Sequence, residues 1–208
     1  ESEKDTYLTH GHPRSLHRWW ARRPLASCRA VIFSALIDDP GNYLPPKEAK
    51  KERRRLFGLL EKLILWENTG NRTIVNNAIK EIKKSVKNEM PIVLDPFCGG
   101  GSIPLESCRL GLKTYGSDLN PVAVLITKTM VEYPQRFNGK TAINPQAFEG
   151  RQEGFEGIAS DVTFYGELIL KRAKEKLEKF YPKIDDKNVA AWLWTRIIKC
   201  PNPACRVE

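Results

Sequence analysis

Residues 91–102 read PIVLDPFCGGGS, and this stretch decides the fold class. The short apolar run that ends at Asp95 is typical of a strand buried on both faces of a parallel sheet. The glycines at positions 99–101 then predict a tight turn. Ser102 suits the N-cap of a helix over IPLESCRL, which Gly111 would end. The stretch therefore predicts a strand, a glycine turn and a helix in direct succession.

A second strand and helix are predicted immediately after the first pair. Residues 113–118, KTYGSD, predict a strand. Asn120 caps the next helix, Pro121 suits its first turn, and the helix continues to about residue 133. Strands that alternate with helices run parallel, because each helix returns the chain to the same end of the sheet. We therefore predict an α/β fold with a partial Rossmann-like sheet and an N-terminal helical, basic extension.

The extension and the C-terminal part are predicted from helical spacing of apolar residues. A helix runs from Pro24 to the turn formers at residues 38–42, and two more are predicted over about 47–66 and 73–87. Further along, the patterns predict a loop over 135–160, an amphipathic helix over 164–182 and a strand or short helix over 190–198. Three regions follow: an N-terminal segment with its helix at 1–40, a basic helical insertion at 41–89 and a sheet-containing core at 90–208.

Most of the net charge of +9 lies in the first 90 residues. Residues 6–37 hold five arginines, all three histidines and no acid, and residues 47–88 hold twelve basic residues against five acids. Basic surfaces attract phosphate and release counterions when they bind nucleic acid, so a polyanion such as nucleic acid is the partner that the charge favours. Lysine-rich helices also occur for solubility alone, and charge by itself leaves both interpretations open.

Composition excludes several other classes of protein. Hydrophobic residues make up 41% of the 208 positions, which argues against a disordered chain. There is no apolar run of the roughly 20 residues that a membrane span needs, and the N-terminus lacks the apolar core of a signal peptide. The five cysteines are odd in number and scattered, which favours reduced thiols. We expect a cytoplasmic protein with no membrane partner.

The glycine turn and Asp118 together indicate a nucleotide-like ligand. Glycines let backbone N–H groups approach a ligand closely at the start of a helix. An acid at the tip of the next strand can accept the hydroxyl groups of a ribose. The glycines are not spaced G-x-G-x-x-G, and no P-loop string is present, so a dinucleotide and a nucleoside triphosphate are both disfavoured. The residues thus predict an adenosine-containing ligand without identifying it.

Residues 95–101, DPFCGGG, resemble motif I of the S-adenosylmethionine-dependent amino-methyltransferases, whose signature is D-P-F-x-G-x-G. The resemblance implies a class I methyltransferase sheet and an S-adenosylmethionine cofactor. Residues 118–121, DLNP, resemble the acidic loop that holds the ribose in that superfamily. A purely structural tight turn is the alternative interpretation of the glycines.

The N-terminal block HGHPRSLHRWWARRPL, residues 10–25, resembles the N-terminal domain of a group of adenine-specific DNA methylases that carry a zinc ribbon. The tryptophans and arginines of this block could form a stacking and phosphate-binding surface, or Trp20 and its neighbour could cover the methionine end of the donor. Residues 23–25 could fill the place of motif X beside the donor, with Arg23 or a neighbouring backbone N–H facing its carboxylate. Trp19 and Trp20 could instead be packing residues and the arginines surface residues. The cofactor-binding residues implied by the resemblance are Trp20, Arg23, Asp95, Pro96, Phe97, Cys98, Gly99, Gly100, Gly101, Asp118, Leu119 and Asn120.

Two departures from that family concern metal and catalysis. Cys200 and Cys205 resemble the first half of a zinc ribbon, but a tetrahedral zinc needs four ligands, so zinc would be complete only in a longer protein. Motif IV, the Asp/Asn-Pro-Pro-Tyr/Phe loop that clamps the target amine, is absent, and no catalytic residue is assigned. The chain is therefore expected to be an N-terminal fragment that is inactive alone.

The resemblance implies the S-adenosylmethionine-binding portion of a site-specific DNA methyltransferase. It is expected to methylate adenine N6 in duplex DNA, in restriction-modification or phage defence, with a flipped adenine entering at the carboxyl edge of the sheet. Two alternatives stay open: an RNA or tRNA guanine-N2 methyltransferase, and a non-catalytic nucleic-acid-binding module whose glycine turn is structural.

Overall fold

The structure is a computed structural model that describes residues 1–4, 11–147 and 153–181, with 184, 189, 191, 193, 195–198 and 205. The chain divides into one unit over Glu1–Gly139 and a second over Lys140–Glu208. The described helices are α1 (Leu25–Leu36), α2 (Pro46–Ile64), α3 (Arg72–Ser85), α4 (Ser102–Arg109), α5 (Pro121–Val131), α6 (Tyr133–Phe137) and α7 (Glu156–Leu177). The described strands are β1 (Ile92–Asp95) and β2 (Lys113–Gly116). No helix in these ranges combines the length and apolarity of a membrane span.

Strands β1 and β2 pair in parallel, in register from Ile92 opposite Lys113 to Asp95 opposite Gly116. The parallel pairing and the mixed α/β class are thereby confirmed. The described part holds a small two-stranded sheet among many helices. The prediction that β1 is buried on both faces was wrong, because Ile92 is 59% exposed and Leu94 is 69% exposed. Side chains alternate along a strand, and only the face that carries Val93 packs against the helical core.

The core of the first unit joins the basic helices to the sheet. Its buried centre combines residues of α1, α2 and α3 with two that flank Gly111 between α4 and β2: Phe33, Leu63, Ala78, Ile82, Leu110 and Leu112. The apolar stripes predicted on α2 and α3 therefore face the same core as Val93 of β1. These helices pack on the sheet unit and turn their charged faces to solvent.

A fully buried ion pair ties α1 to α4. The Arg29 guanidinium donates through Nε to Oε2 of Glu106 at 2.5 Å, and the two side chains are 1% and 0% exposed. Arg29 also donates to the carbonyl of Leu63 at 2.6 Å, and Arg109 lies 3.2 Å from Glu106. Two charges buried in this way stabilise the fold only together, because each would be costly alone.

The ends of several elements differ from those predicted. Gly101 occupies the N-cap of α4 in the left-handed region, and Ser102 instead donates to the carbonyl of Arg23. Asn120 caps α5 as predicted, accepting from the amide of Val122. The prediction of a loop over 135–160 was wrong at both ends, because α6 covers the start of this range and α7 begins at Glu156. No helical pattern marks α6 in the sequence, because this helix is short, has Pro134 in its first turn and is followed by turn-forming residues.

Candidate functional site

The glycine turn, residues 97–101, and the loop that begins at Asp118 lie at the same edge of the sheet. Because β1 and β2 are parallel, their carboxyl ends meet there. One Asp118 carboxylate oxygen accepts from the amide of Gly99 at 2.8 Å, and the other accepts from the amide of Asn120 at 2.8 Å. The side chain therefore bonds together two loops that the sequence separates by 19 residues.

Asp118 is a permanent negative charge at neutral pH. Hydrogen bonds from the backbone amide of Asn120, and then from that of Gly99, hold the pKa of this carboxyl below its ordinary value, and desolvation opposes them. A carboxylate has about four lone-pair positions, so two amide bonds leave capacity for further donors such as hydroxyl groups.

The glycine turn is shaped by the chain that covers it. Gly99 and Gly101 have φ of +48° and +72°, which L side chains rarely adopt. A Cβ on Gly99 would lie 2.9 Å from Nε1 of Trp19, and one on Gly100 would lie 3.2 Å from Cζ of Arg22. These glycines thus permit close packing of the N-terminal segment against the turn.

The N-terminal segment, residues 11–24, is hydrogen-bonded to the glycine turn and to α4. Arg22 donates to the carbonyl of Gly100 at 3.0 Å, and Ser102 donates to the carbonyl of Arg23 at 2.8 Å. Trp19 and Arg22, which make the closest approach to the glycines, were not among the predicted site residues. Their position beside Trp20 and Arg23 in the sequence was the available signal.

A cavity of about 300 Å³, here called the edge cavity, lies between the N-terminal segment and the sheet edge. It brings together seven predicted residues and adds three that were not predicted. It is lined by Trp19, Trp20, Ala21, Arg23, Asp95, Phe97, Cys98, Gly99, Ile103 and Asp118. Its volume is at the lower end of the range of ligand sites, roughly 300–1,000 Å³.

The other predicted residues border the turns rather than the cavity lining. Gly100 and Gly101 are buried behind the turn, Pro96 accepts from the hydroxyl of Ser117, and Asn120 caps α5. Leu119 is fully exposed, and Trp20 and Phe97 are each 87% exposed. Large exposed apolar side chains around a cleft mark a surface that a flat apolar group can cover.

Cys98 lies in the glycine turn but is not suited to nucleophilic chemistry. Its side chain is buried and its Sγ lies 3.6 Å from Oγ1 of Thr127. Burial raises the pKa of this thiol, and the nearby carboxylates of Asp95 and Asp118 raise it further. Cys98 therefore remains a neutral thiol that fills the base of the turn.

The predicted zinc half-site cannot be described as a pair. Cys200 lies outside the described residues, whereas Cys205 is a partly buried free thiol. In the part of the chain that the structure describes, no cluster of three or more His, Cys, Asp or Glu side chains could hold a metal ion.

Comparison with known proteins relates part of this chain to a methyltransferase. A family model described as "Protein of unknown function (DUF1156)" matches residues 1–59, which include the N-terminal segment and α1. Type II methyltransferase M.MvaI of Kocuria varians is 38% identical over 48 residues, which are 23% of this chain and 11% of that protein. The chain therefore spans only a small part of this curated relative. No solved structure matches.

Proposed function

We propose that the chain binds S-adenosylmethionine in the edge cavity and forms the donor-binding part of a DNA methyltransferase that modifies adenine N6. The observation that carries this proposal is the joining of the Asp118 carboxylate to the amide of Gly99 at the carboxyl edge of two parallel strands. The partial similarity to a type II methyltransferase supports the same class of reaction.

The chemistry of the lining fits the parts of this donor. Asp118 offers an ionised acceptor for ribose hydroxyls. The exposed side chain of Phe97 in the lining, and that of Leu119 next to Asp118 but outside the lining, offer apolar cover for an adenine ring. Asp95 and Asp118 line the cavity and favour a sulfonium cation, while Arg23 can pair with a carboxylate. When bound, the donor supplies an electrophilic methyl carbon.

In this proposal the described residues bind and orient the donor and leave the target amine to another loop. The sequence contains no Asp/Asn-Pro-Pro-Tyr/Phe string, the family's clamp for that amine. The N-terminal segment contacts the glycine turn through Trp19 and Arg22. Transfer to an adenine then requires the base to leave the duplex and reach the same edge.

Replacing Asp118 by alanine is expected to weaken the binding of S-adenosylhomocysteine about 10- to 100-fold, the usual effect of losing hydrogen bonds to a charged group. Isothermal titration calorimetry measures this constant. Asp161→Ala is the matched control, because Asp161 also accepts two backbone amides, those of Ile143 and Asn144, but does not line the edge cavity. Equal affinities for the wild type and Asp118→Ala would contradict the donor site.

The DNA part of the proposal rests on the exposed face of α2. Five basic side chains follow helical spacing along one side of α2, with Glu61 beside the last of them: Lys47, Lys50, Lys51, Arg54 and Lys62. In the described residues, none of these five forms an ion pair, whereas the neighbouring Arg55 pairs with Glu52 and Glu81. Cations on one side of a helix that form no ion pairs are suited to the phosphates of a duplex.

Changing Lys50, Lys51 and Arg54 together to glutamine is expected to weaken duplex binding and to flatten its salt dependence. Each lost phosphate contact reduces the slope of log affinity against log salt by about 0.9. Fluorescence anisotropy with a labelled duplex at several salt concentrations measures both quantities. The control changes Lys171, Arg172 and Lys174 of α7 to glutamine. These side chains are exposed, and changing them removes the same amount of charge. Equal losses in both triple variants would indicate a non-specific charge effect.

A further inference from the structure

A second cavity, of about 440 Å³, shares Trp19, Trp20 and Arg23 with the edge cavity. Four arginines line it, Arg14, Arg18, Arg22 and Arg23, and we call it the arginine cavity. No acidic side chain is present among the described residues that line it. This concentration of like charge at one cavity is the feature that the donor site leaves unexplained.

The guanidinium of Arg22 is fixed in position by hydrogen bonds to the backbone. It donates to the carbonyls of Gly100 and His17, at 3.0 and 3.2 Å, and its buried Nε has no hydrogen-bond partner. Burial, and then the charge of Arg14, lower the pKa of Arg22 below its ordinary value. A guanidinium that is partly desolvated and has an unpartnered Nε favours the approach of an anion.

An aromatic platform borders the same cavity. Trp19 and Trp20 stack with ring centroids 4.8 Å apart and an interplanar angle of 16°. Trp20 is 87% exposed and so retains free ring surface. Arginines beside an exposed indole are the combination by which proteins bind a phosphate and stack the adjoining base.

The two cavities differ in charge in a way that separates two ligands. Asp95 and Asp118 line the edge cavity, and their carboxylates favour a sulfonium cation and repel a phosphate. The arginine cavity has the opposite preference, because its charged lining is made of arginines. Donor and polyanion can therefore bind on neighbouring surfaces, with Arg23 beside the donor carboxylate and with Arg18 and Arg22 facing the phosphate.

We propose that the arginine cavity binds a phosphodiester group of the nucleic-acid strand that carries the target base, with Trp20 stacking on a base of that strand. This inference rests on the proposed methyl-donor site, since it places the strand beside the edge cavity. It assigns the strand's nearest contact to residues 14–23, separately from the duplex contacts proposed for α2.

The test uses Arg18→Gln, because Arg18 is exposed, lines the arginine cavity and does not line the edge cavity. Binding of a labelled single-stranded DNA is expected to weaken about fivefold, and the salt slope to fall by about 0.7, the value for one phosphate contact on a single strand. Arg18→Lys keeps the charge and should keep the slope. Arg172→Gln is the matched control, since it lines neither cavity and is equally an exposed arginine.

Calorimetry with S-adenosylhomocysteine on the same variants separates the two sites. Unchanged donor affinity in Arg18→Gln, together with weaker DNA binding, supports the proposal. DNA binding equal to that of Arg172→Gln overturns it, and so does a loss confined to S-adenosylhomocysteine, which would assign the arginines to the donor carboxylate. If the wild type binds no S-adenosylhomocysteine but Arg18→Gln still weakens DNA binding, the donor site fails and the phosphate site stands.

Discussion

Replacing Glu106 by alanine is expected to lower the free energy of unfolding by about 3–5 kcal/mol, the usual cost of breaking a buried ion pair. Glu106 is 0% exposed and accepts from Arg29, whose side chain is 1% exposed. Within the part of the chain that the structure describes, alanine would leave the buried Arg29 guanidinium with the carbonyl of Leu63 as its one acceptor. Urea denaturation followed by circular dichroism measures the change.

A double variant shows whether charge or packing causes this loss. Arg29→Met with Glu106→Leu removes both charges and keeps apolar volume, and it should recover most of the stability, because buried pairs are often replaceable by well-packed apolar side chains. Glu52→Ala is the control for a partly exposed pair and should change stability little. A loss below about 1 kcal/mol for Glu106→Ala would mean that this pair does not couple α1 to α4.

Replacing Gly101 by alanine is the second large expected effect, a loss of about 2–5 kcal/mol together with the loss of S-adenosylhomocysteine binding. Gly101 has φ of +72°, and its added Cβ would lie 2.7 Å from Oγ1 and 3.2 Å from the Cα of Thr127. The contact with the backbone of α5 cannot be relieved by a side-chain rotation. Either α5 or the glycine turn must therefore move.

Gly139→Ala separates the steric contact from the backbone strain. Gly139 has φ of +68°, close to that of Gly101, yet an added Cβ would meet nothing within 4 Å. We expect it to cost only the strain of the left-handed conformation, about 1–2 kcal/mol. Thermal denaturation and calorimetry compare the two variants, and equal losses would show that contact with α5 is unimportant.

The parts of the fold predicted correctly are those encoded locally. The apolar run before Asp95, the glycines and the Asn120-Pro121 pair each specify a backbone conformation within a few residues. The parallel pairing followed from the short β-α-β spacing. The position of Asp118 beside the glycine turn was predictable for the same reason, because the carboxyl ends of parallel strands meet.

The parts that could not be predicted depend on contacts between distant residues. Nothing near Arg22 indicates that it donates to the carbonyl of Gly100, 78 positions away. The ion pair of Arg29 with Glu106 spans 77 positions, and each residue alone resembles an ordinary surface charge. Exposure of one face of β1 likewise depends on which elements cover it, and not on its own apolar sequence.

Trp19, Trp20 and Arg23 line both cavities, so a ligand in one cavity lies against side chains that also border the other. A ligand that fixes Trp20 on one side removes conformational entropy that a second ligand need not lose again. Linkage then requires the effect to be mutual, so the cofactor would raise affinity for a strand by the same factor as the strand raises affinity for the cofactor. If both proposed ligands contact Trp20, the shared aromatic boundary predicts positive heterotropic cooperativity between them.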